Sequence, residues 1–422
     1  MADRVLRAAF VEGARFAPLY DHLPEFTEAA GRLVDVAYRE PLPALLDRLL
    51  GPAPASAADD PSARPTDSGA SPVGSPDVAP LHLTSAHSRY TADLASHMLP
   101  LDDLLGPEFL TAFDPEALEW CRWEGRLVQV PRSVETRLLY YRTDILEDRR
   151  EREWFCEASG GADLRVPATW DELAVVAQHF TRRGRTHGFT FPGADAGLVA
   201  LFAEILVSVG GTFLDPDGTP RWATRAGEWV VTLLRDLFRR WEAVPPEMPR
   251  QTEEDVSHLF RMGLASLCCD YPDTARLLRD PTFSAVAGWH SVALYPTGPE
   301  GARAVWTGAP TFAIPAGCPD PDGAAELLRF LLSTENQLAE AKQGALPSRL
   351  DAREAARDAL RLGTIGELRF RLAEQTLREA ALVPPRFPGY RHTEERLRQA
   401  LLRAVLGEQD PAAALTQAAA GE

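Results

Sequence analysis

Six short stretches place charged and aromatic side chains where a strand pattern gives way to a helix pattern. They are Glu12–Phe16, Ser85–Tyr90, Arg132–Tyr141, Cys269–Pro272, Trp306–Pro310 and Arg386–Tyr390. In open α/β sheets, ligands bind outside the carboxyl ends of the strands. Helix N-termini at those ends also offer free backbone N–H groups. One such stretch is an ordinary loop; six at equivalent topological places point to ligand binding. Bond-making chemistry has less support. The chain has no Walker loop, no G-x-G-x-x-G, no G-x-S-x-G and no H-E-x-x-H. His82 and His87 are close in sequence, but no carboxylate or cysteine spacing completes a metal set. Acidic pairs such as Asp102–Asp103 and Glu253–Glu254 read as solvated faces. No cofactor is implied.

The elements that must position these residues follow from periodicity. Residues 4–11 and 32–37 read as strands, and helical patterns follow each, over 18–30 and 43–50. That order favours parallel pairing in an α/β domain. Residues 51–80 are rich in Pro, Ala, Ser and Asp and read as a disordered surface insertion. The strand-like LHLTS at 81–85 continues the α/β rhythm. Residues 125–131 read as a strand entering a new region. The stretch PATWDELAVVAQHFTRR (167–183) is a helix, with Thr169 and Glu172 at capping-box spacing. Residues 322–343 read as one helix, and the C-terminal third is helical apart from a break at 383–390.

Composition narrows the partners. The chain has 422 residues, 44 basic and 61 acidic, for a net charge of −17. Acidic surface argues against nucleic acid and anionic membrane. No stretch approaches the ~20 apolar residues of a membrane span. The five cysteines are irregularly spaced and read as buried free thiols. Arg4, Arg7, Glu12 and Arg15 interrupt any N-terminal apolar run, and no cysteine precedes Cys121. The sequence as written is expected to be cytoplasmic; a start further upstream would make it extracytoplasmic.

Several segments resemble the family 1 extracellular solute-binding proteins, the maltose-binding-protein-like sugar receptors of ABC transporters. The matching segments are VPRSVETRLLYYRTDIL, PATWDELAVVAQHFT, ILVSVGGTFLDPDG, FRMGLASLCCDY and TGAPTFAIPAGCPDPDGAAELLRFLLSTENQ, in that order. The resemblance implies a periplasmic-binding-protein-like fold: two α/β lobes, a hinge and an interlobe ligand cleft. It places lobe 1 at 1–125 plus 297–345, and lobe 2 at 126–296 plus 346–422. Hinge crossings are expected near 126–131 and 290–296.

The same resemblance implies a non-enzymatic, monomeric receptor for a carbohydrate, with ABC permease subunits as partners. Sugar hydroxyls take paired hydrogen bonds from planar charged groups, and their C–H faces lie on aromatic rings. The implied ligand-binding residues are Glu12, Arg15, Phe16, His87, Tyr90, Glu135, Arg137, Asp270, Tyr271, Trp306, Gly308 and Arg386. Arg137 could instead be an ion-pair partner of Glu135. Two departures from the family pattern stand out. His87 replaces a common Asp, and Gly308-Ala309-Pro310 lacks the usual aromatic, for which Trp306 could compensate. Two alternatives remain. One is a cytoplasmic sensor or protein-partner module. The other is a glycan enzyme using Glu12 and Glu135 as its carboxylate pair.

Overall fold

The structure is a computed structural model that describes residues 5–51, 80–182, 184 and 186–421. The insertion read at 51–80 falls almost wholly outside the described residues. The chain forms two compact units. Unit 1 is Met1–Glu135, Gly308–Ala359 and Arg386–His392; unit 2 is Thr136–Thr307, Leu360–Pro385 and Thr393–Glu422.

Unit 1 carries a five-stranded sheet in the order Leu33–Glu40, Val5–Val11, Leu83–His87, Pro310–Ala313, Val130–Pro131. The first three strands are parallel, as the strand–helix rhythm predicts. Pro310–Ala313 runs antiparallel to both of its neighbours. The core packs on this sheet. Phe10 stacks on Tyr20 at 4.4 Å and meets Phe312 edge-on at 6.0 Å. Helix Pro321–Leu331 buries Ala324, Leu327, Leu328 and Leu331, a single stripe at helical spacing.

Two helices are shorter than the periodicity suggests. The pattern over 18–30 is broken into Ala17–Tyr20 and Leu23–Ala30. Pro24 lacks an N–H and its ring excludes a continuous turn, but it suits the first turn of a new helix. The pattern over 322–343 is likewise two helices, Pro321–Leu331 and Thr334–Gln343. Ser333 caps the second by accepting from the Asn336 N–H at 3.2 Å.

The units divide the chain at 135/136 and 307/308, not at 125/126 and 296/297. Val130–Pro131 is an outer strand of the unit 1 sheet, so the chain stays in that unit past residue 126. Leu346–Pro347 pairs with Ser133–Val134, which keeps the next segment in unit 1 beyond 345.

Unit 2 has a four-stranded sheet in the order His290–Ala293, Leu138–Arg142, Ala265–Asp270, His187–Thr190. Only the last pair is parallel. Leu138, Tyr140, Val256, Phe260, Cys268 and Val292 build its core. Helix Gly197–Ser208 is buried on nearly every side, as an all-round apolar sequence requires. Helix Trp170–Arg182 starts with reciprocal capping. Thr169 Oγ accepts from the Glu172 N–H, and the Glu172 carboxylate accepts from the Ala168 N–H. All five cysteines are free thiols, with Cys121 and Cys268 buried.

Helix Trp170–Arg182 lies so close to strand His187–Thr190 that only glycine fits at 188. A Cβ there would stand 1.9 Å from the Ala177 carbonyl oxygen. Gly188→Ala is therefore expected to destabilise the protein by about 3 kcal/mol or more, since backbone cannot yield as a side chain does. Gly317→Ala, with no atom within 4 Å, is the control. Urea unfolding of the two variants should separate them clearly.

Candidate functional site

In unit 1 the sequence-predicted residues converge at the carboxyl ends of the strands. Strand Val5–Val11 ends in a loop that bears Arg15 and Phe16. Arg132 fixes this loop: its Nη2 donates to the Phe16 carbonyl at 2.9 Å, and its Nη1 to the Tyr20 hydroxyl at 3.1 Å. Glu340 holds Arg132 in turn, accepting from its Nε at 3.0 Å. The Arg15 guanidinium then reaches Glu135, with Nη1 2.9 Å from Oε1, and lies over the Phe16 ring at 4.5 Å.

His87, at the end of strand Leu83–His87, meets Glu135 from a second side, with Nε2 3.1 Å from Oε2. The backbone N–H of Arg89 donates to His87 Nδ1 at 3.2 Å. Nδ1 is therefore the acceptor, so the ring proton is on Nε2 and is donated to Glu135. Burial and the neighbouring Arg89 charge lower the His87 pKa, so the ring is neutral at neutral pH. The Tyr90 ring lies 6.4 Å from it, edge-on.

Gly308 completes the arrangement. Its carbonyl accepts from the Glu135 N–H at 2.8 Å, and its N–H donates back at 3.3 Å. A Cβ on Gly308 would come within 2.8 Å of His87 Cε1. Glycine is thus what lets the ring sit beneath this backbone. Burial alone would raise the Glu135 carboxyl. Arg15 foremost, and then the His87 hydrogen bond, overcome that and hold it at about 2.

Unit 2 has its own cluster. Arg137 is 2% exposed and forks onto Glu204, with Nε–Oε1 at 3.1 Å and Nη2–Oε2 at 2.6 Å. The Trp306 backbone N–H donates to the same Oε1 at 2.7 Å. Glu253 accepts from Arg137 at 3.4 Å and from the Tyr271 hydroxyl at 2.9 Å. Asp270 accepts from the Tyr271 N–H at 2.7 Å. The Trp306 indole N–H is buried and has no hydrogen-bond partner among the described residues. Burial pushes the Glu204 carboxyl up to about 7, against the pull of Arg137. Burial also works against the Arg137 charge, yet Glu204 holds the guanidinium well above its ordinary value. The hydrogen bonds that Glu204 accepts come from Arg137 and the Trp306 N–H, while the nearby Glu253 charge adds to the upward push.

Arg137 therefore pairs with Glu204 and Glu253, and Glu135 pairs with Arg15 and His87. Glu253 belongs to this cluster and is not part of a solvated face. Glu12 is exposed, and among the described residues its backbone N–H donates to the Glu40 carbonyl. Arg386 is not among the partners of Glu135. Its Nη1 donates to the backbone carbonyls of Glu119 and Arg122. Those carbonyls lie around the end of helix Pro115–Trp120, where a cation is favoured.

Glu204 escaped the sequence reading, and Glu253 was read there as part of a solvated face. A signal for Glu204 was present: it is the sole charge in GLVALFAEILVS, and a buried charge needs a partner. Among the described residues no group of three His, Cys, Asp or Glu could hold a metal ion. No described helix is long and apolar enough to cross a membrane.

Residues 72–360 match the family described as bacterial extracellular solute-binding protein. A Deinococcus radiodurans protein named "Probable ABC transporter-binding protein" is 26% identical over 259 residues. That match spans 60% of this chain and 58% of the relative's own length. The fold is similar to that of maltose-bound MalE3 of T. maritima, at 22% identity and TM-score 0.79, over 99% of this chain and 98% of that one. It is also similar to the GacH receptor of Streptomyces glaucescens, solved unliganded and with acarbose, at 19% identity and TM-score 0.75, over 99% and 96%. A ribitol-bound ABC transporter solute-binding protein of Agrobacterium radiobacter matches at 20% identity and TM-score 0.75, over 99% and 97%. These likenesses establish a periplasmic-binding-protein-like fold.

Two outcomes follow from the geometry. The folded Glu135 carboxyl sits near 2, below its ordinary 4.5. Its contribution to stability is therefore full above about pH 4.5 and lost as pH falls towards 2, by about 3 kcal/mol in total. Urea unfolding from pH 6 to 2.5 should show a steeper loss in the parent than in Glu135→Gln; parallel curves would assign the loss to other groups. Arg386→Ala should cost about 1–2 kcal/mol of stability through the unpaired carbonyls and leave ligand affinity unchanged by calorimetry.

Proposed function

We propose, from the premise that this chain belongs to the bacterial extracellular solute-binding protein family, that it binds a carbohydrate or polyol as the receptor of an ABC importer. The observation that carries the reading is the half-buried Arg15 on the buried Glu135–His87 pair, beside Phe16 and Tyr90. A guanidinium and an ionised carboxylate offer donors and acceptors to vicinal hydroxyls. The rings offer flat apolar area to sugar C–H faces. The maltose, acarbose and ribitol named for the similar structures are ligands of that chemistry.

The protein acts by binding, without turnover. A general acid must carry a proton near neutral pH, whereas Arg15 and His87 hold Glu135 ionised down to about 2. Its partners are the sugar and the permease subunits of an importer, and delivery to an importer requires an extracytoplasmic location.

Thermal unfolding against a panel of mono-, di- and oligosaccharides and sugar alcohols tests the ligand class. A cognate ligand at 100 times its Kd should add ~2.7 kcal/mol. A flat response across the panel would overturn the carbohydrate reading. With a hit in hand, Arg15→Ala and Glu135→Ala should each weaken binding by ~2–5 kcal/mol in calorimetry. Parent-like affinity in both would remove the cluster from the site.

A further inference from the structure

Both ring nitrogens of His87 are engaged, in opposite senses. Nε2 donates to Glu135 Oε2 at 3.1 Å, and Nδ1 accepts from the Arg89 N–H at 3.2 Å. The second bond is the N-cap of the turn Ser88–Tyr90, which carries the Tyr90 ring. Only a neutral imidazole can make both, because a protonated one has two donors and no acceptor. Turning the ring over does not help, since either nitrogen would then present a proton to the Arg89 N–H. The ring also has little room to move aside. It is buried, and a Cβ on Gly308 would stand 2.8 Å from its Cε1. Pro310 lies opposite His87 in the sheet. The strain of a second proton therefore falls on the turn.

The charges around the ring decide when that proton arrives. Glu135 faces it from the segment after strand Ser133–Val134, Arg15 from the loop after strand Val5–Val11, and Arg89 from the turn itself. Tyr90 is edge-on to it. Strand Pro310–Ala313 brings no titratable side chain. Helix Leu42–Leu50 also packs on the His87 strand, but its Arg48 is given to Glu40 and its Asp47 to Arg391. Burial and Arg89 lower the His87 pKa by more than Glu135 raises it, so the second proton goes on below the ordinary 6.5. Glu135 stays ionised over that range, and the guanidinium groups keep their charge.

We propose that His87 is a proton-operated latch on the unit 1 site: a second proton on its ring takes the acceptor from the Arg89 N–H, uncaps the Ser88–Tyr90 turn, shifts the Tyr90 ring and so weakens ligand binding in mild acid. The last step rests on the carbohydrate reading; the latch itself does not. An aspartate at this position, ionised over the same range, would give no such response.

Nuclear magnetic resonance of the full chain, isotope-labelled at histidine and arginine, tests the latch without a ligand. Between pH 7.5 and 4.5 the His87 ring should titrate with a midpoint below 6.5, and the Arg89 amide resonance should move along the same curve. In His87→Gln, which cannot titrate but keeps an amide donor for Glu135, the Arg89 amide should stay still. A ring still neutral at pH 4.5, or an Arg89 amide that does not follow the ring, would overturn the proposal. With a ligand from the saccharide panel, affinity by calorimetry should fall about fivefold or more from pH 7.5 to 4.5 in the parent, and less than about twofold in His87→Gln. That comparison subtracts Glu204 and the other groups that titrate in the same range. Equal falls in the two proteins would also overturn the proposal. A flat panel would remove the carbohydrate reading and leave the resonances to decide the latch.

Discussion

Glu135 is a carboxylate placed where burial would neutralise it, and much of unit 1 is arranged to keep it charged. Arg15 supplies the opposite charge. That loop is in place because Arg132 holds the Phe16 carbonyl and Glu340 holds Arg132. His87 supplies a neutral donor rather than a second charge, because the Arg89 N–H fixes its tautomer. Gly308 is needed both for the backbone pair with Glu135 and for the space beside His87. Removing any of these members leaves another with a buried, unmatched group.

The same logic explains why His87 can stand where the family resemblance implies an Asp. A second carboxylate beside Glu135 would repel it and raise one of the two pKa values. A neutral imidazole with its proton on Nε2 donates instead. The cluster thus holds one negative charge, and the guanidinium of Arg15 balances it. Unit 2 answers a similar problem differently. Glu204 sits in the middle of an apolar helix, and the forked Arg137 guanidinium and the Trp306 backbone supply its donors. Burial is the stronger influence there, so its carboxyl lies near 7, whereas Glu135 lies near 2.

The fold was legible because its signals are local. Alternation marked the strands, apolar spacing marked the helices, and PATWDEL with the segments that follow marked the family. Where a helix was read too long, an internal start signal had been passed over: Pro24 in one case and Ser333 in the other. The site was legible in part. Strand ends drew attention to Arg15, His87 and Glu135, which the unit 1 sheet brings into contact, and to Arg137, which lies in a charge cluster of unit 2. Pairing was not legible. Residues two apart in ETR, Glu135 and Arg137, invite each other as partners, yet they belong to different units and each finds its charge elsewhere.

Arg386 shows the limit most clearly. Its segment supports a ligand role by resemblance, and an arginine does suit paired hydrogen bonding. A guanidinium binds backbone carbonyls as well as it binds a sugar, and which it meets depends on distant residues. Here the end of helix Pro115–Trp120 lies within reach, so Arg386 closes off carbonyls that would otherwise lack donors. The next residues are fixed to the same unit, with the Gly389 and Arg391 N–H groups donating to Asp93. A segment tied down by the Arg386 side chain at one end and by its own backbone at the other is held as scaffold. In the proposed site the charges of Arg15 and Glu135 are matched by side chains, and a side chain can exchange one partner for a hydroxyl without unravelling an element.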